Sequence, residues 1–333
     1  MQATMKPFQR LSALVLLALP TLGLAGVGAQ SQTVVSYLHG APAGTPLFSS
    51  NFTGATTVST IASTTSQGFE DAYARASLQD GSLKARSGGT ANRVNAGANA
   101  LMGDSFGALD AATGLPYAWQ ASDTVTFSFA VTGAMLQSLS SAQMAALDPN
   151  FTSLTFFSLG AWRPGFFIRQ ERIAELRLLP YTPAVAAEWT LLQNEINALS
   201  ITSNVTWLGR PYSPNFDGSS VPHVNVDPLT PTQVQLSFNP QGSFEWVAQL
   251  NVSTMFQPAQ ALAQRPTFIA DFSNSAVASF SGPAGTVTTS SLGYFPGTVA
   301  VVPEPQAAAL MLLGLATLLW QRRRARVAAS GLP

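Results

Sequence analysis

The sequence predicts a mainly β protein. The expected architecture is an antiparallel β-sandwich, of which a jelly roll is one form, with one or two helices inserted between about residues 134 and 200. Three observations predict it. Apolar and polar residues alternate in several stretches, the period of a strand with one buried face. Charged residues make up only 10% of the chain while Ser, Thr, Gly and Ala abound, which suits an exported β-rich protein better than a cytosolic enzyme. Only two segments interrupt the alternation with helical signals.

The body occupies residues 30–300. It opens on "TVVSYLHG", and "TGATTVSTIASTTSQG" follows as either an edge strand or an unstructured Ser/Thr stretch. Ala76 to Arg86 reads as two short strands about a tight turn at Asp80-Gly81, a strong hairpin dipeptide. Between Ser122 and Gly133, Val125, Phe127, Phe129 and Val131 share one face of a half-buried strand. Val234, Leu236 and Phe238 alternate likewise, as do Phe244, Trp246, Ala248 and Leu250. Asn239-Pro240-Gln241-Gly242 lies between these runs, so the pair reads as a hairpin. Strands broken at Gly282-Pro283 complete the body as far as Phe295.

The helical signals are specific. Ser140 and Gln143 form a capping box, and Pro149 bounds the short helix that follows. Thr182 is an N-cap with Pro183 at the first helical position. Val185, Trp189, Leu192, Ile196 and Leu199 then form one apolar stripe, read as core. The interleaved charges from Arg169 to Arg177 read as a salt-bridged surface helix or strand edge.

Both ends carry a different kind of signal. Lys6 and Arg10 precede an apolar run, Leu11 to Leu24, and Val27-Gly28-Ala29 offers small residues for cleavage between Ala29 and Gln30. Residues 1–29 therefore read as a secretory signal peptide. At the other end, residues 301–327 contain Val302-Pro303-Glu304-Pro305, a stretch without charge from Ala307 to Trp320, and then Arg322, Arg323, Arg324 and Arg326. The prolines push any helix to begin after them. A 14-residue helix would be a rod of roughly 21 Å against a hydrocarbon core of ~30 Å, a marginal span. The arginines would stay cytoplasmic and place the body outside.

This combination of leader, low-charge body, Pro-Glu-Pro motif, short apolar helix and arginine cluster resembles the PEP-CTERM family of exported bacterial proteins. The resemblance covers about the last thirty residues and, more loosely, the strand-rich end of the body. It implies that Val302, Pro303, Glu304 and Pro305 form a substrate motif for an exosortase-type membrane protease, after signal peptidase has acted at the leader. It further implies an inner-membrane-tethered intermediate, then release to the cell surface or medium of a Gram-negative bacterium that makes extracellular polysaccharide. Polysaccharide is then a candidate partner of the body. A permanently anchored protein would differ only in keeping its tail.

Composition narrows the chemistry of the body. Two of the sixteen basic residues lie in the leader and four in the tail, which leaves ten against sixteen acids in residues 30–305. A net-acidic body without a basic stripe argues against nucleic-acid binding. The absence of cysteine excludes disulfides, thiolate catalysis and cysteine-based metal sites. Zinc chemistry is disfavoured by having only His39 and His223, and no cofactor is expected. His223, Asn225 and Asp227 alternate along one edge and read as a solvated polar face rather than a metal site.

One stretch invites an enzymatic alternative. Gly103-Asp104-Ser105-Phe106-Gly107 matches the G-x-S-x-G nucleophile elbow, and His223 with Asp227, or with another acid before His223, could complete a serine-hydrolase triad. An elbow needs a buried parallel strand before it and a helix after it, and the flanking residues suit neither. The expected reading is a Gly-rich turn leading into a strand, in a non-enzymatic protein. Tyr117, Trp119, Trp162, Trp207 and Tyr212 are candidates for a sugar-stacking platform, with ordinary packing as the commoner role.

Overall fold

The computed structural model describes residues 28–35, 47–52, 57–64, 68–91, 94–213, 216–217, 222–256, 266–272 and 277–291, with a few isolated positions beyond these. The leader before Gly28, His39, and the sorting motif and arginine cluster after residue 300 lie outside the described residues. The chain separates into two compact units, Met1–Val299 and Ala300–Pro333, and the elements below belong to the first.

In chain order the strands begin with β1 (Gly28–Val35), β2 (Leu47–Phe52), β3 (Thr57–Thr64), β4 (Gly68–Ser77), β5 (Ser82–Ala91) and β6 (Val94–Asp110). They continue with β7 (Val125–Val131), β8 (Ala134–Gln137), β9 (Thr152–Trp162), β10 (Ser200–Leu208), β11 (Tyr212–Ser213) and β12 (Phe216–Asp217). After these come β13 (His223–Val224), β14 (Thr232–Phe238), β15 (Phe244–Phe256), β16 (Thr267–Phe272), β17 (Val277–Ser281) and β18 (Thr286–Ser290). Three helices interrupt them: α1 (Ser141–Leu147), α2 (Phe166–Arg177) and α3 (Pro183–Leu199).

The strands form two sheets. The first runs β12-β11-β9-β15-β6-β1-β2, with β10 also on β9, β13 beside β10, and β18 on the C-terminal part of β6. The second runs β14-β7-β17-β5-β16-β8, with β4 on β5 and β3 outside β4. The described pairings are antiparallel apart from the short parallel contact of β10 with β13. The mainly β, antiparallel expectation therefore holds, and the Thr57–Thr64 stretch is an edge strand. Ala29 and Gln30, the expected cleavage point, sit at the start of β1, opposite Met102 and Leu101 of β6.

The alternating residues face the space between the sheets. Phe127 and Phe129 of β7 are buried, as are Val234, Leu236 and Phe238 of β14. They meet Phe106, Phe244 and Trp246 from the first sheet, and these form one aromatic core. Aromatic pairs in offset or edge-to-face geometry add to the area-driven stabilisation.

Three expectations need correction. The runs either side of Asn239–Gly242 do not pair with one another. β14 lies on β7 in the second sheet, and β15 lies between β6 and β9 in the first. The connection is an arch between sheets, not a hairpin. Alternation reports which residues face the core but not which sheet supplies them. Asn239 fits the arch, its Nδ2 donating to the carbonyls of Gln120 and Ala121. Second, the segment 134–200 is not a purely helical insertion. It contains β9, a central strand of the first sheet buried on both faces in its middle. Its near-continuous apolar run, Leu154 to Trp162, lacks alternation because its outward residues are packed as well, Phe156 against Trp207 and Trp162 against Phe166. Third, three helices occur among the described residues rather than one or two.

The turn at Asp80-Gly81 is a four-residue loop, Leu78–Gly81, between two ten-residue strands. Gly81 takes a left-handed conformation, φ 64°, that few side chains adopt readily. The Asp80 Oδ1 accepts from the Ser82 amide at 3.0 Å and its hydroxyl at 2.5 Å. Burial opposes ionisation of Asp80, but the hydrogen bonds from Ser82 and Ser77 and the charge of Arg75 outweigh it. Its carboxyl is held below the usual range.

Candidate functional site

The G-x-S-x-G stretch lies inside one unbroken strand. β6 runs from Val94 to Asp110, with β15 on one side and β1 then β18 on the other. No strand-to-helix turn exposes Ser105, so the elbow geometry is not formed. β6, β15, β9, β10 and β13 lie side by side. Ser105 and His223 are thus four strand spacings apart sideways, roughly 19 Å at about 4.8 Å each, and they are also offset along the strands, since Ser105 lies level with Trp162 of β9 and His223 level with Phe156. The structure does not bring them together. Asp227 is committed elsewhere, its Oδ1 accepting from the amides of Leu229 at 2.7 Å and Thr230 at 3.3 Å. His223, Asn225 and Asp227 are exposed, while Val224 and Val226 between them pack on the core.

The stretch has a structural account instead. Its two faces have opposite tasks. Asp104 and Phe106 point between the sheets and are fully buried. The Asp104 carboxylate accepts from the hydroxyl of Ser290, from that of Ser291 at 2.5 Å, and from the Ser105 amide at 2.7 Å. Charge-assisted hydrogen bonds of this kind are about twice as strong as neutral ones. They tie the end of β18 to the centre of the first sheet. On the outer face, a Cβ at Gly103 would lie 2.6 Å from the Trp246 carbonyl oxygen and 3.0 Å from the Phe167 ring. Gly103 is needed so that α2 can approach the sheet.

A prediction separates the two readings. Gly103→Ala is expected to cost about 1–3 kcal/mol through overpacking. Ser105→Ala, at a half-buried position, is expected to stay within about 0.5 kcal/mol. Urea unfolding of both variants checks it. A hydrolase elbow would instead make Ser105 the sensitive position in any esterase assay.

The outer face of the first sheet carries the helical pair. Leu101 and Val247 from the sheet meet Phe166, Phe167 and Ile173 of α2 and Ile196 of α3. Trp162 stacks on Phe166 with centroids 4.0 Å apart. The expected stripe of α3 faces inward, with Trp189 and Leu192 packed against this cluster. Thr182 caps α3 as expected, its Oγ1 accepting from the Val185 amide, and Ser140 with Gln143 forms the expected capping box on α1.

One functional position escaped the sequence reading. Gly165 offers α2 no side-chain cap. The buried Glu245 of β15, opposite Ser105 in register, supplies it. Its carboxylate accepts from the Gly165 amide at 3.0 Å and the Phe167 amide at 2.8 Å. A carboxylate therefore already occupies the positive end of the helix nearest Ser105.

The charge run from Arg169 is helical and paired. Arg169 binds Glu195, and Arg172 binds both Glu188 and Glu175, each at 2.7 Å. Hydrogen bonds to Glu188 and Glu175 hold the Arg172 guanidinium above its ordinary value. Burial pushes that of Arg177 below its own, and this group lies 5.0 Å from the Trp189 ring centroid.

The aromatic candidates are engaged with other rings. Tyr117 meets Trp119 edge to face, Trp207 meets Phe156, and Tyr212 meets Phe151. A cleft of about 420 Å³ lies elsewhere, where α2 ends and α3 begins, lined by Leu176, Val185 and Trp189 among others. Among the described residues no group of three or more His, Asp or Glu is arranged to hold a metal ion. Nor is any described helix long and apolar enough to cross a membrane. No family model, no curated protein and no solved structure matches this chain.

Proposed function

We propose that this chain is an exported, non-enzymatic protein whose tail is a sorting address. A leader ending at Ala29 directs it across the inner membrane. The segment after Pro305 then holds it there until an exosortase-type protease removes the tail and passes the β-rich body to the cell surface or medium. One observation carries the reading. Pro303-Glu304-Pro305 is followed by an uncharged stretch from Ala307 to Trp320 and then by Arg322, Arg323, Arg324 and Arg326. A buried core helix has no use for a run with no polar face that ends in such a cluster. The separation of Ser105 from His223 supports a body without triad chemistry. Association with extracellular polysaccharide rests on the family resemblance alone.

The test is the intact mass and C-terminal peptide of the protein recovered from the surface and medium of its native host. The expected chain starts at Gln30 and ends near Pro305. A Pro303→Ala, Glu304→Ala, Pro305→Ala triple variant is expected to keep its tail and stay with the inner membrane. Wild-type protein that still carries Trp320 and the arginines would make the tail a permanent anchor and end the sorting proposal.

A further inference from the structure

The turn joining α2 to α3 exposes three large apolar side chains close together. Leu178 and Tyr181 are each 87% exposed and Leu179 is 49% exposed. Residues 178–187, Leu-Leu-Pro-Tyr-Thr-Pro-Ala-Val-Ala-Ala, contain no charge. The cleft beneath them adds the apolar walls of Leu176, Val185 and Trp189. The flanking acids, Glu175 and Glu188, both bind Arg172. Arg177, at the base of the turn, is the cation nearest to Leu178 in sequence.

We infer that this helical turn docks into the interfacial region of a lipid bilayer, with Leu178 and Tyr181 inserted. The choice of bilayer over another protein rests in part on the proposed tail. From Phe295, fixed in the core, to Ala307 the chain can span at most roughly 40 Å at about 3.4 Å per residue. A tethered body therefore meets the bilayer at an effective concentration of about the millimolar order. Weak insertion is then sufficient, and each leucine that enters shifts the partition by roughly tenfold or more. Tyrosine suits the boundary between hydrocarbon and water.

The absence of cysteine makes a single introduced thiol a unique label site. The full chain is reconstituted in vesicles of phosphatidylethanolamine and phosphatidylglycerol. An environment-sensitive fluorophore is placed through Leu178→Cys or Tyr181→Cys, with Leu229→Cys, 89% exposed in another loop, as the control and Leu312→Cys reporting on the tail. The labels at 178 and 181 are expected to shift to the blue and to lose emission with nitroxide-bearing lipids, while the label at 229 does neither. If the tail label is quenched and the labels at 178 and 181 remain in water, the docking inference falls and the tail reading stands. If the turn is quenched and the tail is not, the tail reading falls and docking stands. Shielding of position 178 from an aqueous quencher without quenching by lipid would mean that protein, such as a second copy, covers the turn, and would overturn the inference. Equal quenching at 229 would also overturn it, since the body would then show no preferred face.

Discussion

Trp246→Ala is expected to lower the stability of the body by about 3–5 kcal/mol. The ring is buried on the inner face of β15. It lies 5.5 Å from Phe106 in its own sheet and 5.0 Å from Phe127 in the other. Phe295, close to the tail, lies 5.0 Å away as well. Removing the indole opens a cavity that both sheets line, and backbones held in ladders cannot collapse to fill it. Trp246→Phe gives a sharper contrast. It keeps most of the ring contacts and discards an indole N–H that finds no acceptor among the described residues. Burying an unpaired donor is costly, so its removal offsets part of the lost packing, and the expected cost is about 1–2 kcal/mol. Urea unfolding followed by near-ultraviolet dichroism reads both, with the midpoint falling and the slope unchanged. Equal losses in the two variants would show that the indole N–H is satisfied and that packing volume is not the main term.

The core was largely legible because burial on one face of a strand leaves a period of two in the sequence. Val125, Phe127, Phe129 and Val131 announce themselves, and the structure buries all four. Local caps were legible for the same reason of proximity. Ser140 with Gln143, and Thr182 with the Val185 amide, act over three residues. Sheet membership was not legible, because β14 and β15 present the same alternation to one core from opposite sides. β9 was hidden because its outward residues are packed as well, Phe156 against Trp207 and Trp162 against Phe166, so its apolar run loses the alternation that marks a strand. The polar anchors were hidden by distance along the chain. Asp104 meets Ser291 across 187 positions, and Glu245 meets Gly165 across 80. The Gly-rich turn expected at Gly103–Gly107 is instead continuous strand, for a related reason. Its first glycine answers to Phe167 and the Trp246 carbonyl, neighbours that a three-letter pattern cannot contain.

Glu245→Ala is expected to release the helical pair more than it weakens the sandwich. The wild-type carboxylate is buried, satisfies two amide donors at the start of α2, and places a negative charge at the positive end of the helix. Alanine leaves both donors without this acceptor, in a site closed by Phe166, Phe167 and the sheet, at a cost of about 2–4 kcal/mol. Glu245→Gln keeps one carbonyl oxygen for one of the amides and loses the charge, so about 1–2 kcal/mol is expected. Little else fixes α2 to the sheet apart from the small cluster around Leu101 and Val247. The loss should therefore appear locally, as sub-global opening with a lower free energy than global unfolding. Hydrogen exchange is the measurement that distinguishes this. Amides of residues 166–199 should exchange faster in Glu245→Ala, while those of β7 and β6 keep most of their protection. Uniform acceleration across both sheets would mean that the helical pair and the sandwich unfold as one unit. Glu245 would then be a support of the whole body rather than the clasp of its outer layer.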